Sequence, residues 1–511
     1  MRERRTAWWG GGMGAIGAAA LVWVTMAPAA ASPDRDGFLE MWARSYFPGR
    51  SGDIMLVPGD GVILTVSGTP FMHGSPWEYD TRIPLIFFGP GQVRPGRYPE
   101  AASHEDVAAT LATVLGLPRR PAATGRVLRE ILPVRGADGA GGGAPGAGGP
   151  PRVIALLVLD AFRADYVERY PEETATLRRL AERGALFPQA GVDYLPTVTA
   201  VAHTTLATGT WPSVHGIVGN VLFDRSAGKS KSAYRGMSAE DVRALSLADR
   251  WEAWTEGRAV IAVQAGTFYP AAALAGHGGC LLGGHPFLAT YFDSRSGGWT
   301  TNSECYVLPE YLTDQRIQEL AGGSGVGEAP RPSALRRDPT VFPRFEAAAT
   351  LEMVEREPFG TDEVADLLLV NLKATDYVAH RYGPESPESR RAVAEVDRQV
   401  ALIVEALEAK AGPGGLLLVV TADHGMPPEP EPGGRHLVGE LVSSLDRHFD
   451  PGGEGIVDHF SAADNQVYLD HERLAALGRS VEEVARYAEG LPYVFAAYPE
   501  GEVRKAAARL P

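Results

Sequence analysis

Aspartate and histidine side chains recur at short spacings just after apolar runs of this sequence. Asp376 is followed four residues later by His380, Asp423 is followed directly by His424, and Asp160 closes the run V-I-A-L-L-V-L-D. Carboxylate oxygens and imidazole nitrogens, without a thiolate, are ligands that suit zinc or a similar divalent ion. A single Asp after a strand is usually a turn or helix-capping residue, but two such Asp/His groups predict a pair of metal ions.

The elements that must position these residues can be read from the hydrophobic pattern. The three runs that precede the aspartates are almost continuously apolar, which predicts strands of a parallel sheet buried on both faces. Two segments between these runs have the apolar spacing of helices. One starts after Pro171, and the other has an apolar stripe from Val393 to Leu407 that ends before Gly412. We therefore expect an α/β fold with a doubly wound, mostly parallel sheet. Its ligands should bind beyond the carboxyl ends of the strands, where the three carboxylates would converge.

The composition and net charge of the chain limit the kinds of molecule that it is expected to bind. The chain has 511 residues, of which 45% are hydrophobic and 22% charged, and this is typical of a globular protein. The net charge of −15 argues against a surface that binds polymeric nucleic acid, since such surfaces are basic. An anionic substrate would then be attracted by the metal ions rather than by surface Lys and Arg.

Residues 1–31 have a basic start, an apolar run and small residues ending in A-A-A, the pattern of a signal peptide cut near Ala31. An uncleaved membrane anchor is the alternative. No later stretch has 18 unbroken apolar residues, so we expect no stable membrane span after processing and a periplasmic or extracellular location. Export permits a disulfide between Cys280 and Cys305, although two free cysteines are an equal alternative.

The remaining boundaries follow from composition shifts. A Gly/Ala/Pro-rich stretch at 134–150 is predicted to be a flexible linker. Residues 36–133 before it contain a small α/β segment. After it we expect a catalytic core in two halves, 151–235 and 351–511, separated by a Gly-, Trp- and Tyr-rich cap insertion at 236–350.

Residues 199–220 carry the pattern T-x-x-x-H-x-x-L-x-T-G-x-x-P-x-x-H-G-I-x-x-N. This resembles the nucleophile region of type I phosphodiesterases and nucleotide pyrophosphatases, and of the related threonine-dependent alkaline phosphatases of the alkaline phosphatase superfamily. T-D-Y-V-A-H-R-Y-G-P at 375–384 resembles the family's D-x-x-x-H-x-x-G-P, and T-A-D-H-G-M at 421–426 resembles its D-H-G-M. Several motifs in a fixed order make the resemblance specific, and it implies the alkaline-phosphatase type of α/β fold.

The resemblance also implies a cofactor, two Zn²⁺ ions, with other divalent ions as an alternative. The residues that it assigns to one ion are Asp160, Thr199, Asp423 and His424, and those that it assigns to the other are Asp376 and His380. The second ion still lacks a third protein ligand.

In the family that ligand is a histidine in a G-T-x-H-G-x-P-Y-x-Y-D-T-like segment located after the D-H-G strand. Here the matching segment is residues 68–89, G-T-P-F-M-H-G-S-P-W-E-Y-D-T-R-I-P-L-I-F-F-G, near the start of the chain. We therefore expect a circular permutation that moved the family's C-terminal segment to the N-terminus, with His73 as the missing ligand. The alternative is a loop histidine in an unrelated N-terminal domain.

The implied mechanism is attack of Thr199 on phosphorus to form a phospho-threonine, with Thr197 as the alternative nucleophile. Asn220 would donate to a phosphate oxygen, helped by the backbone N–H of Thr199 or Ala200. His203 and His215 are expected to support the site by packing or hydrogen bonding rather than to bind metal.

The substrate is expected to be a small phosphate ester. Threonine-dependent alkaline phosphatases carry a K-D-R-G-A-I-L-P-G-G-H-like segment whose Lys and Arg bind a monoester dianion. Residues 275–285 match it best, and they have Ala275 and His277 in those places. Because two charge-assisted contacts would be lost, we expect hydrolysis of phosphodiester or pyrophosphate bonds in nucleotide-like or other small esters. A phosphomonoesterase and, less favoured, a phosphotransferase are the alternatives.

Overall fold

The apolar runs that precede the three aspartates form neighbouring central strands of one large sheet. The computed structural model describes residues 35–133, 149–281, 283–320 and 331–510. The predicted signal peptide and residues 134–148 of the predicted linker lie outside the described residues.

The strands, in chain order, are β1 (Ile54–Pro58), β2 (Ile63–Thr65), β3 (Leu85–Phe88), β4 (Gly96–Arg97), β5 (Val153–Leu159), β6 (Ala185–Leu186), β7 (Val221–Asp224), β8 (Lys229–Ser232), β9 (Ile261–Ala265), β10 (Leu288–Asp293), β11 (Gly298–Thr300), β12 (Asp366–Leu372), β13 (Leu416–Thr421), β14 (Arg435–Leu437), β15 (Val457–Ser461), β16 (Gln466–Leu469) and β17 (Val494–Pro499).

The α-helices are α1 (Arg35–Ser45), α2 (Glu78–Thr81), α3 (His104–Val114), α4 (Tyr166–Arg169), α5 (Ala175–Arg183), α6 (Thr199–Thr208), α7 (Pro212–His215), α8 (Leu247–Thr255), α9 (Phe268–Ala275), α10 (Ile317–Leu320), α11 (Pro332–Leu335), α12 (Val341–Arg356), α13 (Ala374–Tyr382), α14 (Pro387–Ala411), α15 (Val438–Phe449), α16 (His471–Ala476), α17 (Val481–Glu489) and α18 (Glu500–Ala507).

The large sheet has the strand order β11-β10-β9-β12-β5-β13-β3-β6-β4. Its centre, β9-β12-β5-β13, is parallel, while β3 and β11 run antiparallel to their neighbours. Every residue of β5, β12 and β13 is buried, as expected for strands with helices on both faces. The predicted α/β class with a mostly parallel sheet is confirmed.

The longest helix shows how the local sequence sets an element's ends. Helix α14 begins after Ser386, whose hydroxyl accepts a hydrogen bond from the Ser389 N–H, and Pro387 occupies its first turn. The predicted apolar stripe from Val393 to Leu407 is buried, and Gly412 ends the helix with a φ of 72°.

The N-terminal segment is built into the rest of the fold. Strand β3 lies between β13 and β6 in the large sheet. Strand β1 lies between β16 and β17 in a second, four-stranded antiparallel sheet with the order β15-β16-β1-β17. All described residues belong to one compact unit.

Residues 236–350, expected to be an inserted cap, also contribute to the sheet. Strand β9 pairs in parallel with β12, and β10 and β11 extend the sheet beyond it. The five residues of β9, I-A-V-Q-A, are all buried, so this region supplies part of the core as well as loops.

Cys280 and Cys305 form a disulfide within this region, which decides between the two alternatives for the cysteines. Within the described residues, none of the helices combines the length and apolar character that crossing a membrane requires.

Candidate metal centre and nucleophile

Three aspartates meet at the carboxyl edge of the large sheet. Asp160 follows β5 directly, Asp423 comes two residues after β13 ends, and Asp376 lies in the first turn of α13, just beyond β12. Because β12, β5 and β13 are neighbours, their ends bring these carboxylates together, and all three are buried.

His73, Asp376 and His380 form one group of potential ligands, whose donor atoms all lie within 4.8 Å of one another. Asp376 Oδ1 is 3.1 Å from His380 Nε2 and 3.7 Å from His73 Nε2. The structure thus brings the N-terminal His73 to the two residues with which the sequence grouped it.

The second set of proposed ligands lies beside this first group and contains Asp160, Asp423 and His424. These three residues do not form a group of their own by the same distance criterion. The groups whose donor atoms fall within 4.8 Å are Asp160, Asp376 and His424, and Asp160, His203 and Asp423. His424 Nε2 is 3.2 Å from Asp423 Oδ2, 3.8 Å from Asp160 Oδ1 and 3.4 Å from Thr199 Oγ1.

Each of the three imidazoles is oriented by a backbone carbonyl. The Nδ1 atoms lie 2.8 Å from Thr197 O for His73, 2.7 Å from Phe71 O for His380 and 2.8 Å from Gly425 O for His424. A carbonyl can only accept, so Nδ1 carries the proton and Nε2 presents its lone pair to the carboxylates. This is the orientation that a metal-binding histidine needs.

Two buried carboxylate oxygens show that the site requires positive charge. Among the residues that the structure describes, Asp376 Oδ1 and Asp423 Oδ2 have no hydrogen-bond partner, and each faces an Nε2 atom. Burial would lower the pKa of His380, but the negative charge of Asp376 outweighs burial and raises that pKa. Burial lowers the pKa of His73 to about 3, which keeps its imidazole neutral. Two divalent ions would satisfy both oxygens, so the residues fit the metals.

Thr199 is the first residue of α6 and lines a cavity of about 380 Å³ above the aspartates. Thr197, the alternative nucleophile, is buried, and its hydroxyl donates to the Ser75 carbonyl at 2.9 Å. The cavity therefore favours Thr199, whereas Thr197 contributes the backbone carbonyl that orients His73.

Asn220 also lines the cavity. Its Oδ1 accepts the Ala200 N–H at 2.9 Å, so its amide N–H groups remain to donate. Because Asn220 already accepts the Ala200 N–H, the Thr199 N–H is the better placed of the two backbone donors that the sequence suggested. Asp464, which the sequence did not single out, accepts the backbone N–H groups of Asn220 and Val221 at 2.8 and 3.1 Å and fixes this turn.

His203 and His215 use both ring nitrogens for hydrogen bonds. His203 bonds the Thr199 carbonyl at 2.9 Å and Asn371 Nδ2 at 3.1 Å, and His215 bonds Thr205 Oγ1 and the Ile217 N–H. His203 thus holds the residue that carries the candidate nucleophile, as expected of a supporting histidine.

Asp80 and Gly74 position the loop that carries His73. The buried Asp80 accepts hydrogen bonds from the Gly74 N–H and from the Ser75 N–H and hydroxyl. Gly74 has a φ of 121°, and a Cβ there would lie 2.1 Å from the Ala463 carbonyl oxygen, so only glycine fits. Both residues belong to the H-G-S-P-W-E-Y-D stretch of the sequence.

Lys373 is the residue of the site that sequence reasoning missed. Its ammonium is 2.8 Å from Asp160 Oδ1, 2.9 Å from Asp376 Oδ2 and 3.1 Å from Thr199 Oγ1. Burial would lower the pKa of Lys373, but Asp160, Asp376 and Asp423 raise it, so the side chain is a cation. Its place three residues before Asp376, just beyond an apolar run, was the available signal.

The mouth of the cavity is more basic than expected. Arg336, Arg337 and Arg381 line it, and among the described residues none of the three forms a side-chain ion pair. The guanidinium of Arg336 lies 4.7 Å from the centre of the Tyr377 ring. The cavity lining therefore includes arginines that the sequence analysis did not assign to the site.

The cap residues that line the cavity include Thr267 and Tyr269, at the start of α9, as well as Arg336 and Arg337. Ala275 and His277, expected in this place, lie at the other end of that helix. Ala275 is fully buried, and the His277 ring bonds Asp249 at 2.9 Å. Neither Ala275 nor His277 lines the cavity, whereas the cap residues that do line it include two arginines.

Comparisons with known proteins agree with these motifs. The family described as type I phosphodiesterase / nucleotide pyrophosphatase matches residues 154–509. The alkaline phosphatase PafA of Elizabethkingia meningoseptica is 28% identical over 400 residues, covering 66% of this chain and 72% of PafA. The alkaline phosphatase PhoV of Synechococcus elongatus is 24% identical over 391 residues, covering 63% and 68%.

The crystal structure of wild-type PafA superposes with a TM-score of 0.51 at 24% identity, covering 67% of this chain and 77% of that one. This likeness confirms the fold, and the matches confirm the predicted class of enzyme, a hydrolase of phosphoric ester bonds. With about 70% of its residues inside the family match, the chain belongs to the type I phosphodiesterase / nucleotide pyrophosphatase family.

Proposed function

We propose that this protein hydrolyses small phosphate esters through a phospho-threonine formed on Thr199, at a centre of two divalent ions, with zinc favoured by the ligands. The observation that carries the proposal is the position of Thr199 Oγ1 on the cavity floor. It lies 3.4 Å from His424 Nε2 and 3.1 Å from the ammonium that contacts Asp160 and Asp376.

The ligand sets are those that the family motifs imply, and the two unpartnered carboxylate oxygens support them. His73, Asp376 and His380 would hold one ion, and the set for the other ion is Asp160, Thr199, Asp423 and His424. Bound divalent ions supply Lewis acidity, which lowers the pKa of a coordinated hydroxyl and stabilises negative charge on phosphate oxygens.

The chain's own groups define the reaction. Thr199 Oγ1 gives its proton to solvent and bonds to phosphorus while the bond from phosphorus to the leaving oxygen breaks. The electron pair of that bond stays on the leaving oxygen, which departs as an anion or takes up a proton from solvent. Asn220, with its Oδ1 already bonded to the Ala200 N–H, donates its amide hydrogen to a non-bridging oxygen. Water then attacks phosphorus of the phospho-threonine, which releases the phosphate product and restores the Thr199 hydroxyl.

Phosphodiester or pyrophosphate bonds are the proposed target, because the segment that matches the family's dianion-binding Lys and Arg has Ala275 and His277 in those places. Hydrolysis of monoesters is the second candidate, and the observation that favours it is the buried ammonium of Lys373 beside Thr199. The arginines at the mouth favour anionic substrates of either kind.

We also propose that the chain is a circular permutant of its family. The family match begins at residue 154, after the segment that carries His73. Strand β1 lies between β16 and β17, and helix α1 packs against α18, with Tyr498 donating to the Arg35 carbonyl at 2.6 Å. A short connection would therefore join residue 510 to residue 35, which supports transfer of an originally C-terminal segment.

Export is proposed as well. The signal-like sequence at residues 1–31 and the Cys280–Cys305 disulfide both favour an oxidising compartment, the periplasm or the extracellular space.

Removal of the metals tests the cofactor proposal. Dialysis against a strong chelator is expected to lower hydrolysis by about 100-fold or more, because the hydroxyl of Thr199 is a weak nucleophile without a Lewis acid. Zn²⁺ added back should restore the rate as two ions bind per chain, measured by elemental analysis beside the kinetics. Full activity in a preparation that retains less than about one ion in ten chains would contradict the proposal.

A further inference from the structure

Lys373 occupies a position that neither the fold nor the proposed ligand sets require. Its side chain is 7% exposed, and its ammonium contacts one oxygen of Asp160, one oxygen of Asp376 and the hydroxyl of Thr199. The backbone of Lys373 is held separately, by a hydrogen bond of 2.7 Å from its N–H to Glu346 Oε1. The ammonium is therefore directed at the place where the reaction would occur.

The contacts of the ammonium depend on what else the carboxylates bind. Asp160 and Asp376 are both proposed metal ligands, and Asp160 Oδ2 is already used by Asn371 Nδ2 at 2.8 Å. A divalent ion on Asp160 would then compete with Lys373 for Oδ1. A phosphoryl group bonded to Thr199 Oγ1 offers new acceptors, because its non-bridging oxygens lie one bond beyond phosphorus and Nζ is only 3.1 Å from Oγ1.

We propose that Lys373 is a catalytic residue that donates to a non-bridging oxygen of the transferred phosphoryl group and enables this site to accept dianionic phosphate monoesters as well as diesters. This inference rests on the proposed function, since it takes Thr199 as the nucleophile. Lys373 supplies, from the end of β12, a buried positive charge 3.1 Å from Thr199 Oγ1.

The charge of the substrate sets the size of the effect. A monoester dianion carries one more negative charge than a diester of the same leaving group, so a buried cation stabilises it more strongly. Removing one donor to a developing oxyanion typically costs about 100- to 1,000-fold in kcat. We expect a loss of that size on the monoester and of no more than about tenfold on the diester.

The experiment compares Lys373→Met and Lys373→Arg with the wild-type protein, all loaded with metal. Each preparation is assayed on an aryl phosphate monoester and on the methyl diester of the same phenol. Both substrates see the same protein, so any inactive fraction cancels from the ratio of the two kcat/KM values. Lys373→Met should shift that ratio toward the diester by about tenfold or more, and Lys373→Arg, which keeps the charge, should shift it less.

Binding without turnover provides a second readout. In a Thr199→Ala background, Lys373→Met should weaken binding of inorganic phosphate by about tenfold or more and leave dimethyl phosphate nearly unchanged. An unchanged substrate ratio, or equal losses for the two anions, overturns the role of Lys373. If Thr199→Ala itself still hydrolyses esters, the proposed function fails instead, so the two failures are distinguishable.

Discussion

Thr199→Ala is expected to lower kcat/KM for phosphate ester hydrolysis by about 10⁴-fold or more, because the substitution removes the atom that attacks phosphorus. The neighbouring groups would remain, since His203 bonds the backbone carbonyl of residue 199 and Asn220 bonds the Ala200 N–H. Steady-state kinetics on a chromogenic ester measures the loss. Acid quenching during turnover, followed by peptide mass spectrometry, should locate phosphate on Thr199 of the wild-type protein.

Two control variants accompany this prediction. Thr199→Ser keeps a hydroxyl and should retain phosphoenzyme formation. Thr197→Val removes a hydroxyl that donates to Ser75 O and should cost about 1 kcal/mol of stability, with activity reduced by less than about tenfold. If Thr197→Val abolished hydrolysis while Thr199→Ala left it intact, the nucleophile would be misassigned.

His73→Ala is expected to reduce bound metal from two ions to about one, and to lower kcat/KM by about 100-fold or more, as His380→Ala does. The reason is that His73 Nε2 and His380 Nε2 face the same unpartnered oxygen, Asp376 Oδ1. Loss of groups that only orient a metal ligand already costs about 10- to 100-fold in affinity or activity. Elemental analysis and kinetics on the same samples give both quantities.

The matched control is His448→Ala, because His448 is exposed, stacks on Tyr487 and is not among the residues that line the cavity. It should keep both ions. A His73→Ala protein that also kept two ions and full activity would show that the N-terminal segment does not complete the site. Deleting that segment is a weaker test, since deletion would remove β1 and β3 from the interior of two sheets.

The core strands and the proposed ligands were predictable because their signals are local. Buried parallel strands are apolar along their whole length, and Asp376 and His380 share one short motif. His73 needed more than a local pattern. Its segment matches a family motif at the other end of the chain, so its role follows only together with the ligand that the other motifs leave missing. The pairing of β3 with β13 that brings it near is a long-range contact.

The errors have physical reasons as well. Helix α9 has eight residues and spans about 12 Å, so Thr267 at its start and His277 beyond its end cannot both face the cavity. The contact of Lys373 with two carboxylates depends on the direction in which its side chain projects from the end of β12. The local sequence pattern does not indicate that direction. The placement of β1 between β16 and β17 joins residues more than 400 positions apart, which no local pattern encodes.

The most direct test of the central claim, a two-metal centre completed by His73 beside Thr199, is anomalous X-ray diffraction from crystals grown with zinc. Anomalous difference maps should show two peaks in data collected above the zinc edge, and both peaks should vanish in data collected below it. One should lie among His73, Asp376 and His380, and the other among Asp160, Asp423, His424 and Thr199. A single peak, or a second peak without His73 among its neighbours, would contradict the account.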